Sequence, residues 1–452
     1  MAAIPPTYRC RRSDMEFEWY MSLAIFFGLL IVVLASGMPV AFGFLALNIL
    51  GLYFFLGGEN TLSLLATSSF SSIGQFALIP IPLFILMGEL LMRTGLAAMT
   101  VDAMDHWIGR LPGRLAISAV GGGTLFGALS GASMASVAML GSTLVPEMAK
   151  REYKAELSVG SILAGGGLAV LIPPSALGVL LGAMAKVSIA KLLLAGLLPG
   201  LILAVLYFAY FTIRAKLQPH LAPPYKAPPV PLRRKFYSLL AISPLFSLII
   251  VVTGFIFLGI ATPSESAAMG VIATLVLAAC YRRLTWDSMR LALISTMKTT
   301  CMMLLVIVGS AGFSQILAAT GASSSMVDAV TELDFSPIMM VIIMQVLVLA
   351  MGCFIDTISI MMVSIPVFMP LILILGLDPI WFSILILVQL ELAGITPPFG
   401  VLLFVMKGVQ PHLSMAKIYR AAVPIVAIQM VLVALLMIFP EIVSIVPKAM
   451  ER

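Results

Sequence analysis

Two pairs of consecutive prolines, Pro173-Pro174 and Pro397-Pro398, interrupt apolar segments in the two halves of the chain. Proline has no amide hydrogen and disfavours helical geometry in the residue before it, so nearby carbonyl oxygens lose their partners within the helix. A monovalent cation that must shed its water is a natural ligand for such oxygens. Ser175 and Thr396 add a hydroxyl oxygen beside each break. The pattern predicts cation binding at the breaks, although each pair taken alone could be a simple kink.

A second group of polar residues lies in two apolar segments that precede the proline pairs. The first of these segments contains GALSGASMAS (127–136), whose small residues let a tip turn and pack closely. The candidate polar and glycine residues are Ser130, Ser133 and Ser136 in the first segment and Gly352, Asp356, Thr357 and Ser359 in the second. Helix N-termini at such tips point the positive ends of their dipoles inward, which suits an anionic carboxylate.

Two acidic residues lie in strongly apolar surroundings. Asp356 indicates function, because an ionisable side chain at membrane depth is expensive. A hydrogen bond that closes the local turn is the structural alternative for Asp356. Glu391 lies just before the second proline pair, and both a functional role and a local pairing or capping role stay open for it.

The composition is that of a membrane protein. Apolar residues make up 61% of the 452 positions, charged residues 10%, and the mean hydropathy is +1.13. No soluble core could bury so much apolar surface, whereas lipid solvates it directly. The four cysteines are scattered and form no cluster with histidine, and the net charge of +6 serves membrane orientation and does not point to nucleic acid.

The second half of the chain repeats the first. The two proline pairs each follow an earlier proline, Pro146 or Pro370, by 27 residues. The sequences at the breaks also match, LIPPSALGVLL (171–181) against ITPPFGVLLF (395–404). Breaks at matched positions make the simple-kink interpretation weak, and a period of half the chain suits the two halves of a transporter.

Apolar runs and polar interruptions predict the organisation of the chain. We expect a tail at 1–14 with Met15 as an alternative start, a first repeat at 15–213, a basic, proline-rich connector at 214–236 and a second repeat at 237–452. Within the repeats we expect polar interfacial arms at 96–113 and 321–337, hairpins at 114–148 and 338–371, and broken helices at 157–186 and 380–406. The remaining spans are predicted near 21–36, 38–57, 74–93, 192–213, 237–259, 264–281, 299–320 and 421–440.

Charge sets the orientation of these elements. If both hairpins are re-entrant and the chain starts outside, the cytoplasmic face holds 19 of the 26 lysines and arginines. If each hairpin segment instead crossed the membrane once, the basic clusters at 93–114 and 150–154 would lie on opposite faces. The first repeat then begins outside and the second inside, so we predict an all-α polytopic protein with an inverted repeat.

These segments resemble the large membrane subunit, the M or DctM-like subunit, of tripartite ATP-independent periplasmic (TRAP) transporters. The motifs that carry the resemblance are MGELLMRTGL (87–96), SGASMASVAMLGSTLVPEM (130–148), LIPPSALGVLLG (171–182), GIATPSESAAMG (259–270), GCFIDTISIMMVSIPVFMP (352–370) and ELAGITPPFG (391–400). The resemblance implies an elevator-type carrier in the bacterial inner membrane that imports a small organic acid with sodium as coupling ion and without another cofactor. It also implies a separate four-helix Q subunit and a soluble periplasmic P protein as partners.

The resemblance further implies two sodium sites, each at a hairpin tip and the adjacent broken helix. The first would use Ser130, Ser133, Ala169 and Ser175, and the second Gly352, Ala393, Thr396 and Phe399, with Ala169, Gly352, Ala393 and Phe399 contributing backbone carbonyls. Substrate would lie between the tips, near Ser136, Asp356 and Thr357. Ser136 departs from the family pattern, because many relatives have an acidic residue or threonine there.

Two other classes of protein are alternatives. A stand-alone sodium-coupled carrier of the divalent-anion or citrate type would share the hairpins and the repeat but need no binding protein. An intramembrane aspartyl protease needs two facing aspartates, one of them in GxGD, and the GCFID sequence at 352–356 lacks that pattern. We therefore expect a carrier and not an enzyme.

Overall fold

The computed structural model describes most of the chain: residues 28–29, 32, 38, 40–56, 60–96, 113–130, 133–223, 232–319, 335–352, 355–398 and 400–450. The predicted tail, most of the first span, most of both arms, part of the connector and Phe399 lie outside these residues. Within the described part the chain is helical and contains no β-strand. This bears out the prediction of an all-α protein.

Seventeen α-helices are found in the described residues. The first half contains α1 (Val40–Leu56), α2 (Asn60–Ile73), α3 (Pro80–Arg93), α4 (Arg114–Ser130), α5 (Ser133–Lys150), α6 (Ala155–Gly167), α7 (Ala176–Met184) and α8 (Ile189–Leu217). The second half contains α9 (Leu232–Phe257), α10 (Pro263–Cys280), α11 (Trp286–Ala319), α12 (Pro337–Gly352), α13 (Thr357–Ile374), α14 (Pro379–Ile395), α15 (Val401–Val409), α16 (Met415–Ile438) and α17 (Glu441–Met450).

Six helical segments of the described chain are long and apolar enough to cross a bilayer. They are Phe76–Arg93, which includes α3, and the helices α8, α10, α11, α13 and α16. Their outer surfaces carry large apolar side chains, among them Val205, Val276 and Val431, which are 64%, 55% and 57% exposed. Such surface is unfavourable in water and is what lipid solvates. The structure thus agrees with a polytopic membrane protein.

Three elements differ from the helices predicted from the sequence. The helices α2 and α17 were not predicted, because α2 is rich in serine and threonine and α17 is short. The helix α11 begins at Trp286, well before the predicted start near 299, and has 34 residues. A helix of that length is about 51 Å long, longer than the ~30 Å hydrocarbon core, so its polar first turns can extend beyond the lipid.

The core is made by close helix packing through small residues. The helices α4 and α6 approach so closely that a Cβ atom at Gly165 would lie 2.6 Å from the Ala119 carbonyl oxygen. In α1, Asn48 donates from Nδ2 to the Gly309 carbonyl of α11 at 2.7 Å. These contacts are typical of membrane helices, which associate through small residues and interhelical hydrogen bonds. They hold the elements of the candidate site in place.

Candidate functional site

The first helix break lies between α6 and α7. After α6 ends at Gly167, a short 3₁₀ turn covers Leu168–Val170 and the peptide bond between Pro173 and Pro174 is cis. Ser175 is 1% exposed and caps α7, because its Oγ accepts the Gly178 amide hydrogen at 3.1 Å. The predicted ligands Ala169 and Ser175 are therefore both buried in this break.

The second break lies between α14 and α15 and has the same form. The helix α14 ends at Ile395, and the bond between Pro397 and Pro398 is cis. Thr396 donates from Oγ1 to the Leu392 carbonyl at 2.6 Å, which leaves the lone pairs of the hydroxyl oxygen for another partner.

Two carbonyl oxygens converge at this second break. A Cβ atom built at Gly400 would lie 2.7 Å from the Gly394 oxygen and 2.9 Å from the Thr396 oxygen. The Thr396 oxygen accepts the Gly400 amide hydrogen at 3.0 Å and keeps a second lone pair. Glycine keeps the space between the two oxygens open, and carbonyl and hydroxyl oxygens suit a hard cation. The residues present thus fit a small cation such as sodium. Sequence analysis missed Gly394 and Gly400, although both are visible in GITPPFG.

The two hairpin segments each consist of two helices that meet near the breaks. In the first, Ser133 begins α5, Ser136 is fully buried and Ser130 ends α4. In the second, Asp356 caps α13, and its Oδ2 accepts the amide hydrogens of Ile358 and Ser359 at 3.1 and 3.2 Å. Its Oδ1 is hydrogen-bonded to the Ser359 hydroxyl. Asp356 therefore makes the bonds of the structural alternative, and Thr357 beside it is half-buried.

Each hairpin packs onto a break through one glycine. A Cβ atom at Gly127 would lie 2.7 Å from the Ala169 Cβ and 3.0 Å from its Cα. A Cβ atom at Gly352 would lie 2.8 Å from the Ala393 Cα. The two contacts are similar, and the second brings the predicted ligands Gly352 and Ala393 together. Sequence analysis missed Gly127, which lies one position out of register with Gly352, because the two glycines are 225 residues apart and the proline pairs 224.

The first hairpin also contacts the second broken helix directly. The Ser133 hydroxyl donates to Oε2 of the buried Glu391 at 2.8 Å. Gln410, just after α15, donates from Nε2 to the Gly141 carbonyl at 2.7 Å. These bonds join residues more than 250 positions apart and bring elements of both halves into one site. No local motif could have predicted the partner of Glu391.

Comparison with known proteins shows the family. The model of the DctM component of tripartite ATP-independent periplasmic transporters matches residues 27–442. The C4-dicarboxylate TRAP transporter large permease protein DctM of Pseudomonas aeruginosa is 31% identical, over 84% of this chain and 88% of that protein. The isethionate TRAP transporter permease protein DctMQ of Oleidesulfovibrio alaskensis is 28% identical, over 93% of this chain and 65% of that protein. Both relatives are transport permeases and not enzymes.

One solved structure has a similar fold. The YdaH transporter of Alcanivorax borkumensis aligns with a TM-score of 0.59 at 16% identity, over 85% of this chain and 90% of that chain. At this identity the similarity concerns the fold alone, and it agrees with an all-helical, polytopic membrane protein. The match of the family model to nearly the whole chain shows that this protein belongs to the DctM family, the large permease component of TRAP transporters, and is a multi-pass protein of the inner membrane.

Proposed function

We propose that this chain is a sodium-coupled permease that imports a small organic acid by an elevator movement. The observation that carries the proposal is the matched packing of each hairpin glycine against a broken helix, Gly127 on Ala169 and Gly352 on Ala393. Similar close contacts in the two halves of one chain support a carrier built from two repeats with paired ion sites. The re-entrant course of both hairpins and their entry from opposite faces are part of this proposal.

The ion sites are proposed at the two breaks. The first site consists of Ser130, Ser133, Ala169 and Ser175 and the second of Gly352, Ala393, Thr396 and Phe399. Support comes from the carbonyl oxygens that converge on Gly400 and from the free lone pairs of the Thr396 hydroxyl. Hydroxyl and carbonyl oxygens can replace the water of a sodium ion without requiring an acidic cluster.

The substrate is proposed to lie between the hairpin tips, near Ser136, Asp356 and Thr357. Asp356 accepts two of the amide hydrogens at the N-terminus of α13, so the Ser136 and Thr357 hydroxyls are the groups proposed to donate to a substrate carboxylate. The names of the two relatives mention a C4-dicarboxylate and isethionate, both small organic acids. A periplasmic P protein is proposed to deliver the substrate. A small Q subunit is proposed as a separate polypeptide, although the name of the DctMQ relative contains both the M and the Q component.

Reconstituted uptake tests this function. Proteoliposomes that contain the chain and its Q subunit are expected to accumulate a labelled dicarboxylate only when the P protein and an inward sodium gradient are both present. Uptake with a potassium gradient of equal size is the control for the membrane potential. Accumulation that does not need the P protein would favour the stand-alone carrier, and accumulation that ignores sodium would contradict the proposed coupling.

Replacement of Thr396 by alanine is expected to weaken sodium binding. The variant loses the hydroxyl oxygen of the second site, and loss of one such contact to a charged group corresponds to a rise of roughly tenfold in the sodium concentration for half-maximal uptake. Thr274→Ala is the matched control, because Thr274 makes the same bond to a carbonyl four residues earlier at 2.7 Å but lies in α10. Equal sodium curves for the two variants would argue against Thr396 as a ligand.

A further inference from the structure

Glu391 is a buried acidic residue that the proposed ion sites do not include. It lies on α14, two positions before Ala393, and only 5% of its surface is exposed. The ion pairs formed by the described residues involve Glu89 and Glu147, so Glu391 has no lysine or arginine partner in that part of the chain. A buried carboxylate without a basic partner is unfavourable unless another positive charge lies nearby.

One oxygen of Glu391 is bonded to the proposed first ion site. The Ser133 hydroxyl donates to Glu391 Oε2 at 2.8 Å across 258 positions of sequence. Ser133 is itself 9% exposed, so water has little access to this bond. The bond thus joins a proposed ligand of the first site to the helix that carries the second.

The other oxygen of Glu391 lies among buried polar atoms that lack a well-formed hydrogen bond. Glu391 Oε1, both amide atoms of Gln429 and the Tyr207 hydroxyl are buried without a hydrogen bond of good geometry. A Cβ atom at Gly167, where α6 ends at the first break, would lie 3.0 Å from Glu391 Oε1 and 3.5 Å from Gln429 Nε2. Glycine at 167 therefore lets the carboxylate lie against the first break.

We propose that Glu391 is a positioning residue that links the two ion sites, so that a cation at one site strengthens binding at the other. The inference rests on the proposed function, because it needs the two sites at the breaks. The Glu391 carboxylate accepts a hydrogen bond from Ser133 of the first site and lies against Gly167 at the first break. It is on the same turn of α14 as Ala393, a proposed ligand of the second site. Its ionised form, which a nearby cation favours, supplies one negative charge to both sites.

The hydroxyl chemistry of Ser133 explains how this link acts. A serine hydroxyl has one hydrogen to donate and two lone pairs. Donation to Glu391 fixes that hydrogen and directs the lone pairs away from the carboxylate, where a cation can use them. A hydrogen bond to a charged acceptor also polarises the hydroxyl oxygen and makes it a better ligand. Any coupling between the sites must be reciprocal, so it changes the shape of the sodium titration as well as its midpoint.

The test measures sodium binding through stability and not through transport. The full chain in lipid nanodiscs is heated at increasing NaCl, with choline chloride holding the ionic strength constant, and the unfolding temperature is plotted against sodium. For Glu391→Gln, which keeps an acceptor for Ser133 but removes the charge, we expect the sodium midpoint to rise about tenfold and the Hill coefficient to fall toward one. Ser133→Ala should shift the curve in the same direction, and Ser133→Thr, which keeps the hydroxyl, should restore it.

Controls separate this role from general loss of stability. Gln389→Met removes a buried bond from the same helix, where Gln389 Nε2 donates to the Gln345 carbonyl at 3.0 Å. It should lower the unfolding temperature without moving the sodium midpoint. A Glu391→Gln curve with the midpoint and Hill coefficient of the unaltered protein would overturn the inference; if that variant does not fold, unchanged values in Ser133→Ala would do so. An unaltered protein that does not respond to sodium would instead overturn the proposed ion sites themselves.

Discussion

Replacement of Gly352 by alanine is expected to abolish sodium-dependent uptake. The added Cβ would lie 2.8 Å from the Ala393 Cα and would overlap the Ala393 Cβ, and neither atom belongs to a flexible side chain that could move away. The helices α12 and α14 must therefore separate. Overpacking of this kind costs about 1–3 kcal/mol, and here it displaces the carbonyls proposed to bind the second ion. The measurement is the initial rate of uptake in proteoliposomes, with a fall of about 100-fold or more expected if positioning of the ligands is lost.

A matched glycine separates this effect from a general effect of alanine. Gly254 lies in α9, and nothing is within 4 Å of the Cβ that an alanine would add there. Gly254→Ala is expected to transport normally, since alanine also favours the helix more than glycine does. Uptake by Gly352→Ala at the level of Gly254→Ala would refute the close approach of the second hairpin to its break.

The positions of the two helix breaks could be predicted from single residues of the sequence. Proline cannot donate within a helix, and the two proline pairs lie where α6 and α14 have ended and before α7 and α15 begin. The all-helical, multi-pass character followed from composition, because the apolar fraction is too high for any soluble core. The helix breaks depend on the chemistry of neighbouring residues, and the membrane character depends on the overall composition. A single sequence contains both kinds of information.

Contacts between the two halves could not be read in the same way. The Ser133–Glu391 bond joins positions 258 apart, and each residue alone is compatible with several partners. Asp356 is compatible with both of its predicted roles, because its cost at membrane depth indicates function and its Oδ2 also accepts the amide hydrogens that cap α13. The predicted start of α11 is too late, because the polar first turns of this helix have a lower hydropathy than a membrane span.

In the proposed inverted arrangement of the two halves, similar contacts can serve alternating access. Gly127 on Ala169 and Gly352 on Ala393 are similar contacts, yet the proposed topology places the two hairpins on opposite sides of the membrane. A cavity between two such hairpins can open toward one face or the other with little change inside each contact. The Ser133–Glu391 hydrogen bond is then important because it connects the first hairpin to the second broken helix, so that the two halves of the site can move together.

Cysteine labelling is expected to place the outer ends of the two hairpins on opposite faces of the membrane. Lys150, at the end of α5 and with a side chain 77% exposed, should lie on the cytoplasmic face, and Ser336, exposed just before α12, on the periplasmic face. In a background without the four native cysteines, a membrane-impermeant maleimide added to spheroplasts should modify Ser336→Cys and leave Lys150→Cys unmodified. Inside-out vesicles should give the reverse result, because the probe then meets the cytoplasmic face. The inverted repeat requires an odd number of membrane crossings between residues 150 and 336. Modification of both variants from a single side would therefore refute the inverted repeat, and with it the paired ion sites that depend on that symmetry.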